Sequence, residues 1–216
     1  MQEHEQEVPI IFGATGRVGS AAIRIALERG LDVIAVARNP QKLTITHERL
    51  HVITGDTLNP ESVTATLEQA RSLGATAVVM VVGANPLKAS TVVTETVRNI
   101  TEGMPQVDLT RYLGISGTAQ MPATRLGRVS QAAIRLFIQA ARDHQGAYDI
   151  LTSTTLDYVL AGCPYIKDGP ATGSWIEEPG RFPGGFKTIT PPDVADFLIT
   201  ELTRHRYTRQ IVGIWR

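Results

Sequence analysis

The stretch Gly13-Ala14-Thr15-Gly16-Arg17-Val18-Gly19 constrains this chain more than any other feature. It follows directly on a short apolar run at residues 8–12. It leads into residues 17–29, whose Ala, Ile and Leu side chains fall on one helical face, with Gly30 as the stop. Strand, glycine turn and helix in that order open a βαβ unit. Glycines permit a tight turn and let the backbone approach a ligand, and the start of the helix offers free N–H groups and a positive dipole end to an anion. A pyrophosphate is the expected guest, and Gly19 is expected to let the helix lie close to the sheet. The spacing is GxxGxxG, not the commoner GxGxxG. A tight turn with no ligand is the plain alternative.

The rest of the first two-thirds repeats the same alternation. Strands are expected at 32–37, 50–54, 76–82 and 111–115, with helices at about 59–72 and 91–102. Asn59-Pro60-Glu61 combines a side-chain cap, a proline at the first helical position and an acid in the first turn. The run at 76–82 alternates too little for a one-sided sheet, so both of its faces are expected to be covered. The implied fold class is α/β, a Rossmann-like doubly wound parallel sheet with right-handed crossovers. Beyond it, residues 125–144 read as one long helix, 156–161 as a strand, 191–205 as a helix begun at Thr190, and 210–214 as a last strand. Residues 163–190 carry five glycines and four prolines, too many for regular structure. Segments 117–130 and 163–190 are expected to form a small C-terminal substrate lobe on one domain spanning 1–216.

Composition excludes several classes. Lysine plus arginine and aspartate plus glutamate both number 21, which removes the basic excess of a nucleic-acid binder. Cys163 is the only cysteine, so no internal disulfide and no cysteine-rich metal site is possible; no metal is expected, and a reducing cytoplasm fits. The start Met1-Gln2-Glu3-His4-Glu5-Gln6-Glu7 is acidic, unlike a signal peptide. No apolar run approaches the ~20 residues of a membrane helix. A monomer or a homodimer is equally compatible with the pattern.

The end of the second strand selects between dinucleotides. An NAD site usually has an acid there for the ribose 2′-hydroxyl; this chain has Ala37-Arg38-Asn39. Arg38 offers a planar cationic fork suited to a 2′-phosphate, and Arg17 can close on it from the helix. NADP is therefore expected, unless both arginines are merely solvated charges. Asp56 after the third strand is either an acceptor for the adenine amino group or a turn aspartate. Gly83-Ala84-Asn85 supplies small residues where the cofactor would pass.

Taken together, GATGRVG, ARNPQKL after strand two, Gly55-Asp56 and Gly114-Ile115-Ser116 resemble the atypical short-chain dehydrogenase/reductases, and more closely the NmrA-like group that includes the biliverdin and flavin reductases. Asp143-His144, Leu151, Leu156-Asp157-Tyr158-Val159 and Cys163-Pro164 resemble that group's later pattern. The resemblance implies an NADPH-binding domain. It implies a phosphate loop of Gly13, Thr15, Gly16, Arg17 and Val18, Arg38 on the 2′-phosphate, Asp56 and Thr57 on the adenine side, and Ser116 beside the nicotinamide. Cys163, Pro164 and Tyr165 would close over the nicotinamide, with one of the group's paired prolines replaced.

None of the five tyrosines is followed four residues on by lysine, so the Tyr-x-x-x-Lys pair of alcohol dehydrogenation is missing. Reduction of an electron-poor acceptor stays open, because the cofactor supplies the hydride. Ser116 is the candidate catalytic residue, or else a strand-end serine bonding backbone. His144 is a proton donor or a helix-end dipole partner. Tyr165 stacks on a flat ligand or packs ordinarily, and Cys163 lacks a nearby base to act as a nucleophile. Two functions follow: an NADPH-dependent reductase of a flat conjugated acceptor such as a flavin or quinone, or a non-enzymatic NAD(P)-binding redox sensor acting on a protein partner.

Overall fold

The computed structural model describes residues 7–83, 89–137 and 140–216, the side chains of residues 136 and 137 excepted. Strands β1 (Pro9–Phe12), β2 (Val33–Ala37), β3 (Leu50–Thr54), β4 (Ala77–Met80), β5 (Arg111–Gly117) and β6 (Asp157–Cys163) run parallel, joined by helices α1 (Arg17–Glu28), α2 (Pro60–Ser72), α3 (Val92–Gly103), α4 (Arg125–Phe137) and α5 (Ala140–Ser153). Short strands β7 (Tyr165–Ile166), β8 (Ile176–Glu178) and β9 (Thr188–Ile189) precede α6 (Pro191–Arg204) and β10 (Gln210–Trp215). The main sheet has the order β3-β2-β1-β4-β5-β6-β10-β8. This is the Rossmann-like doubly wound arrangement expected from the alternation. The order reverses between β1 and β4, and the crevice beyond the strand ends at that point is where such sheets hold ligands.

Both faces of the sheet are covered, as the apolar run of β4 required. On one face Ile10, Phe12, Val78, Met80 and Tyr112 pack under α2, α3 and α5; on the other Ile11, Ala35, Val79 and Leu113 pack under α1 and α6. Helix α1 buries Val18, Ala22, Ile23, Ala26 and Leu27, the stripe its periodicity implies. The Asn59 side chain accepts a hydrogen bond from Ser62 N at the start of α2, and Thr190 does the same for Asp193 N at the start of α6.

Two expectations are corrected. The helix expected to end at His144 runs further, since α5 continues to Ser153; residues 138 and 139, between α4 and α5, lie outside the described residues. Gly146, inside α5, gives α3 room to approach; a Cβ there would lie 2.7 Å from Thr94 Oγ1. Nor is 163–190 without regular structure. β7 and β9 pair in parallel, and β8 adds antiparallel to β10, covering that edge of the sheet. This segment meets 117–130 through Phe182, whose N–H donates to Pro122 O and whose carbonyl accepts from Thr124 N.

Asp193 ties the 163–190 segment to α6. Its buried carboxylate accepts from Thr172 N, Gly173 N and the Thr172 and Thr190 hydroxyls at 2.7–3.2 Å. Burial alone would raise its pKa, but these bonds together outweigh it and hold the carboxyl below its ordinary value. A depressed carboxyl contributes stability above the unfolded value of about 4 and loses it as pH falls through the folded value. Urea unfolding of Asp193→Asn should therefore show a deficit against the native chain that is full at pH 7 and shrinks below about pH 4. A deficit that does not depend on pH would contradict this account.

Candidate dinucleotide site

Gly13 leaves β1 with φ of +89°, a conformation that favours glycine, and a Cβ there would lie 2.8 Å from Val82 N. Gly16 N donates to Gly13 O at 2.9 Å, closing the turn, and Gly16 then serves as the N-cap of α1 with no side-chain bond. The first-turn amides of α1 thus keep their capacity to bind an anion. Gly19 acts differently from expectation. A Cβ there would overlap the carbonyl of Gly13 and come within 3.0 Å of Ala14 Cα, so this glycine lets the loop fold back on its own helix and not the helix approach the sheet.

Around this loop opens a cleft of about 240 Å³ lined by Gly13, Thr15 and Gly16, by Val36, Ala37 and Arg38 at the end of β2, by Gly55, Thr57 and Leu58 after β3, and by Val81, Val82, Gly83 and Val92. Six of the residues singled out in the sequence therefore share one cavity: Gly13, Thr15, Gly16, Arg38, Thr57 and Gly83. Arg38 is exposed, and among the described residues its guanidinium has no ion-pair or hydrogen-bond partner. Ala84 and Asn85 lie outside the described residues.

The other candidates are placed elsewhere. Val18 is buried in the core between α1 and the sheet. Arg17 pairs with Asp168 of the lobe segment at 2.5 Å. Asp56 Oδ1 accepts from Leu58 N at 3.1 Å, the bond of a turn aspartate. Ser116 lies beside Gly162 at the end of β5, buried, its hydroxyl donating to Gln120 Oε1 at 3.4 Å. Cys163 is buried on the opposite face, where burial pushes its thiol pKa up, which is inert chemistry for a nucleophile. Pro164 is partly exposed, and Tyr165 stands exposed beside Phe186 with ring centroids 6.4 Å apart.

Several participants were missed. Thr96 and Asn99, buried on α3, bond Thr57 Oγ1 and Thr57 O at 3.0 and 2.9 Å and so fix that wall of the cleft. Polar residues at buried helical positions were the available signal. Asp143 of the Asp143-His144 motif is a capping group supplied from another helix: its carboxylate accepts from Val93 N and Thr94 N at the start of α3, at 3.1 and 2.8 Å. Burial lowers the pKa of neighbouring His144, with the charge of Asp143 opposing.

The glycine cradle, the uncapped helix start and the cleft beyond the strand ends fit a dinucleotide diphosphate. Among solved structures the chain resembles three proteins at similar distance. A wide-type short-chain dehydrogenase/reductase of Veillonella parvula DSM 2008 in complex with NADP is 17% identical, with TM-score 0.77, covering 98% of this chain and 95% of that one. A provisional NADH-flavin reductase of Streptococcus pneumoniae TIGR4 is 19% identical, with TM-score 0.78 and coverage of 98% and 100%. ChuY, an anaerobilin reductase of Escherichia coli O157:H7, is 22% identical, with TM-score 0.73 and coverage of 96% of each chain. At these identities the likeness shows the fold. The model of a family described as NAD(P)H-binding matches residues 13–205, from the first glycine of the loop to the end of α6, and the chain belongs to that family.

Proposed function

We propose that this protein is an NADPH-dependent reductase that delivers hydride to a flat conjugated acceptor such as a flavin or quinone. The observation that carries the reading is Arg38, unpartnered among the described residues, in the same cleft as the glycine loop. The cationic fork suits a 2′-phosphate, while the loop and the start of α1 suit the pyrophosphate. Bound there, the dinucleotide supplies the hydride. Gly13, Thr15, Gly16, Arg17 and the backbone of Val18 would form the phosphate side, Asp56, Thr57 and Gly83 the adenine and central walls, and Ser116, the backbone of Cys163, Pro164 and Tyr165 the nicotinamide side. The missing Tyr-x-x-x-Lys pair argues for an acceptor that needs positioning more than acid–base activation. On this reading the chain is a single cytoplasmic domain, a monomer or homodimer, with 117–130 and 163–190 as its acceptor lobe. Among the described residues no helix is long and apolar enough to cross a membrane.

The test is dinucleotide binding followed by quenching of Trp175 and Trp215, then NADPH consumption with a flavin and quinone panel. Arg38→Ala should weaken NADPH binding about 10- to 100-fold, the worth of a charged hydrogen-bonding pair, and leave NADH unchanged. Equal loss for both, or no turnover with any acceptor, overturns the reading. The sensor reading draws on α4, which leaves Leu126 and Val129 62% and 66% exposed, a face suited to a protein partner. Tight NADPH binding without turnover would favour it.

A further inference from the structure

Beneath Ser116, on the α3–α5 face of the sheet, lies a second cavity of only about 10 Å³. Its polar walls are Tyr112 and Ser116 of β5 and His144 and Tyr148 of α5; Met80, Val97, Leu151 and Leu160 contribute apolar walls. So small a volume holds about one water molecule, so the polar groups facing it stand within reach of a single bridging water. Tyr112 is fully buried, and its hydroxyl has no hydrogen-bond partner among the described residues. Its ring runs along its own strand: a Cβ at Gly114 would lie 2.9 Å from Tyr112 Cε1. The glycine lets the phenol lie against β5 and carry its hydroxyl toward Ser116. A buried hydroxyl without a partner is costly, so a group held this way calls for one.

We propose that this cavity is a water site linking Tyr112, His144 and Ser116, and that it delivers the proton consumed in the reduction. The inference rests on the reductase reading. Hydride transfer gives the acceptor two electrons and one hydrogen and leaves it one proton short. The Ser116 hydroxyl gives up that proton and takes one from the bridging water. The water recovers a proton from the imidazolium of His144, which becomes neutral and is reprotonated from solvent. Ser116 is the catalytic residue, and Tyr112 is a positioning residue that holds the water through its hydroxyl. The groups facing His144 are Asp143 and Tyr148 from its own helix and Tyr112 and Ser116 from β5; β4, α3 and β6 present Met80, Val97 and Leu160. Burial disfavours the imidazolium, so the charged form is a minor one that gives up its proton readily.

Tyr112→Phe removes one oxygen and keeps the shape, and Ser116→Ala is the companion variant. Two readouts are needed. The first follows the His144 ring by NMR in the protein without added dinucleotide, with His144→Gln to assign the signal. Tyr112→Phe should move the titration midpoint of His144. The second is NADPH consumption with the best acceptor of the panel. Tyr112→Phe should lower kcat at least about tenfold and alter its pH profile, with NADPH affinity unchanged, and Ser116→Ala should lower it about 100-fold, the lower bound for a positioned proton transfer. An unmoved His144 titration, or a native kcat and pH profile, overturns the proposal. If the native protein reduces nothing, the reductase reading falls, while the titration still decides whether the water site exists.

Discussion

Gly19→Ala should cut NADPH affinity about 100-fold, close to 2.7 kcal/mol, while leaving the protein folded. Two effects oppose each other at this position. Alanine is the better helix former by about 1 kcal/mol, and Gly19 lies in the first turn of α1. Its Cβ, however, would overlap the Gly13 carbonyl and sit 2.8 Å from Gly13 C. Those atoms are backbone, so no side chain can swing aside. Either α1 or the loop must move, and the loop is the softer of the two, because α1 is packed along its length against α6 and the sheet. Overpacking of this kind costs about 1–3 kcal/mol, partly offset by the gain in helix propensity. The damage therefore falls on the amides that would hold the pyrophosphate. Because the lesion is in the phosphate loop, NADH should suffer as much as NADPH, in contrast to Arg38→Ala. Titration calorimetry with both dinucleotides, alongside urea unfolding, separates the two consequences. Undiminished affinity would mean that the loop adapts freely and does not set the site.

The architecture was legible because its signals are local. Asn59 and Thr190 cap as their positions implied, the buried run of β4 is covered on both faces, and the glycine turn joins β1 to α1. What escaped reading depends on contacts between distant segments. The contact that lets α5 run past His144, Gly146 against Thr94, joins residues 52 apart in sequence. Asp143 reads as part of a motif, yet its work is to cap α3, 49 and 50 residues away. The irregular stretch 163–190 gains strands because β10 and its own ends offer partners, which no local propensity encodes. The cleft follows the same division. Gly13, Gly16 and Arg38 sit at strand ends and could be named, whereas Thr96 and Asn99 reach Thr57 from the far side of the site.

Arg111→Met should destabilise the fold by about 3–5 kcal/mol without touching the dinucleotide cleft. Arg111 starts β5 at the N-terminal end of the sheet, opposite the cleft. Its side chain is 7% exposed and donates to Asp157 Oδ2 at 2.6 Å, Tyr207 O at 3.1 Å and Glu201 Oε1 at 3.0 Å. Glu201 on α6 is fully buried; Tyr207 N donates to it at 2.9 Å, and Arg206 Nε lies 3.5 Å from its other oxygen. One guanidinium thus joins the starts of β5 and β6, the end of α6 and the turn leading to β10. Methionine fills much of the volume but strands the carboxylate of Glu201 in the interior. The deficit of Arg111→Met is the cost of taking its main partner from that buried charge. The double variant Arg111→Met/Glu201→Leu, which removes both charges, should recover most of it, since apolar replacement of a whole buried pair is often neutral or better. Urea unfolding measures all three chains. A double variant no more stable than the single one would show that the pair contributes packing and strand anchoring beyond its charge balance.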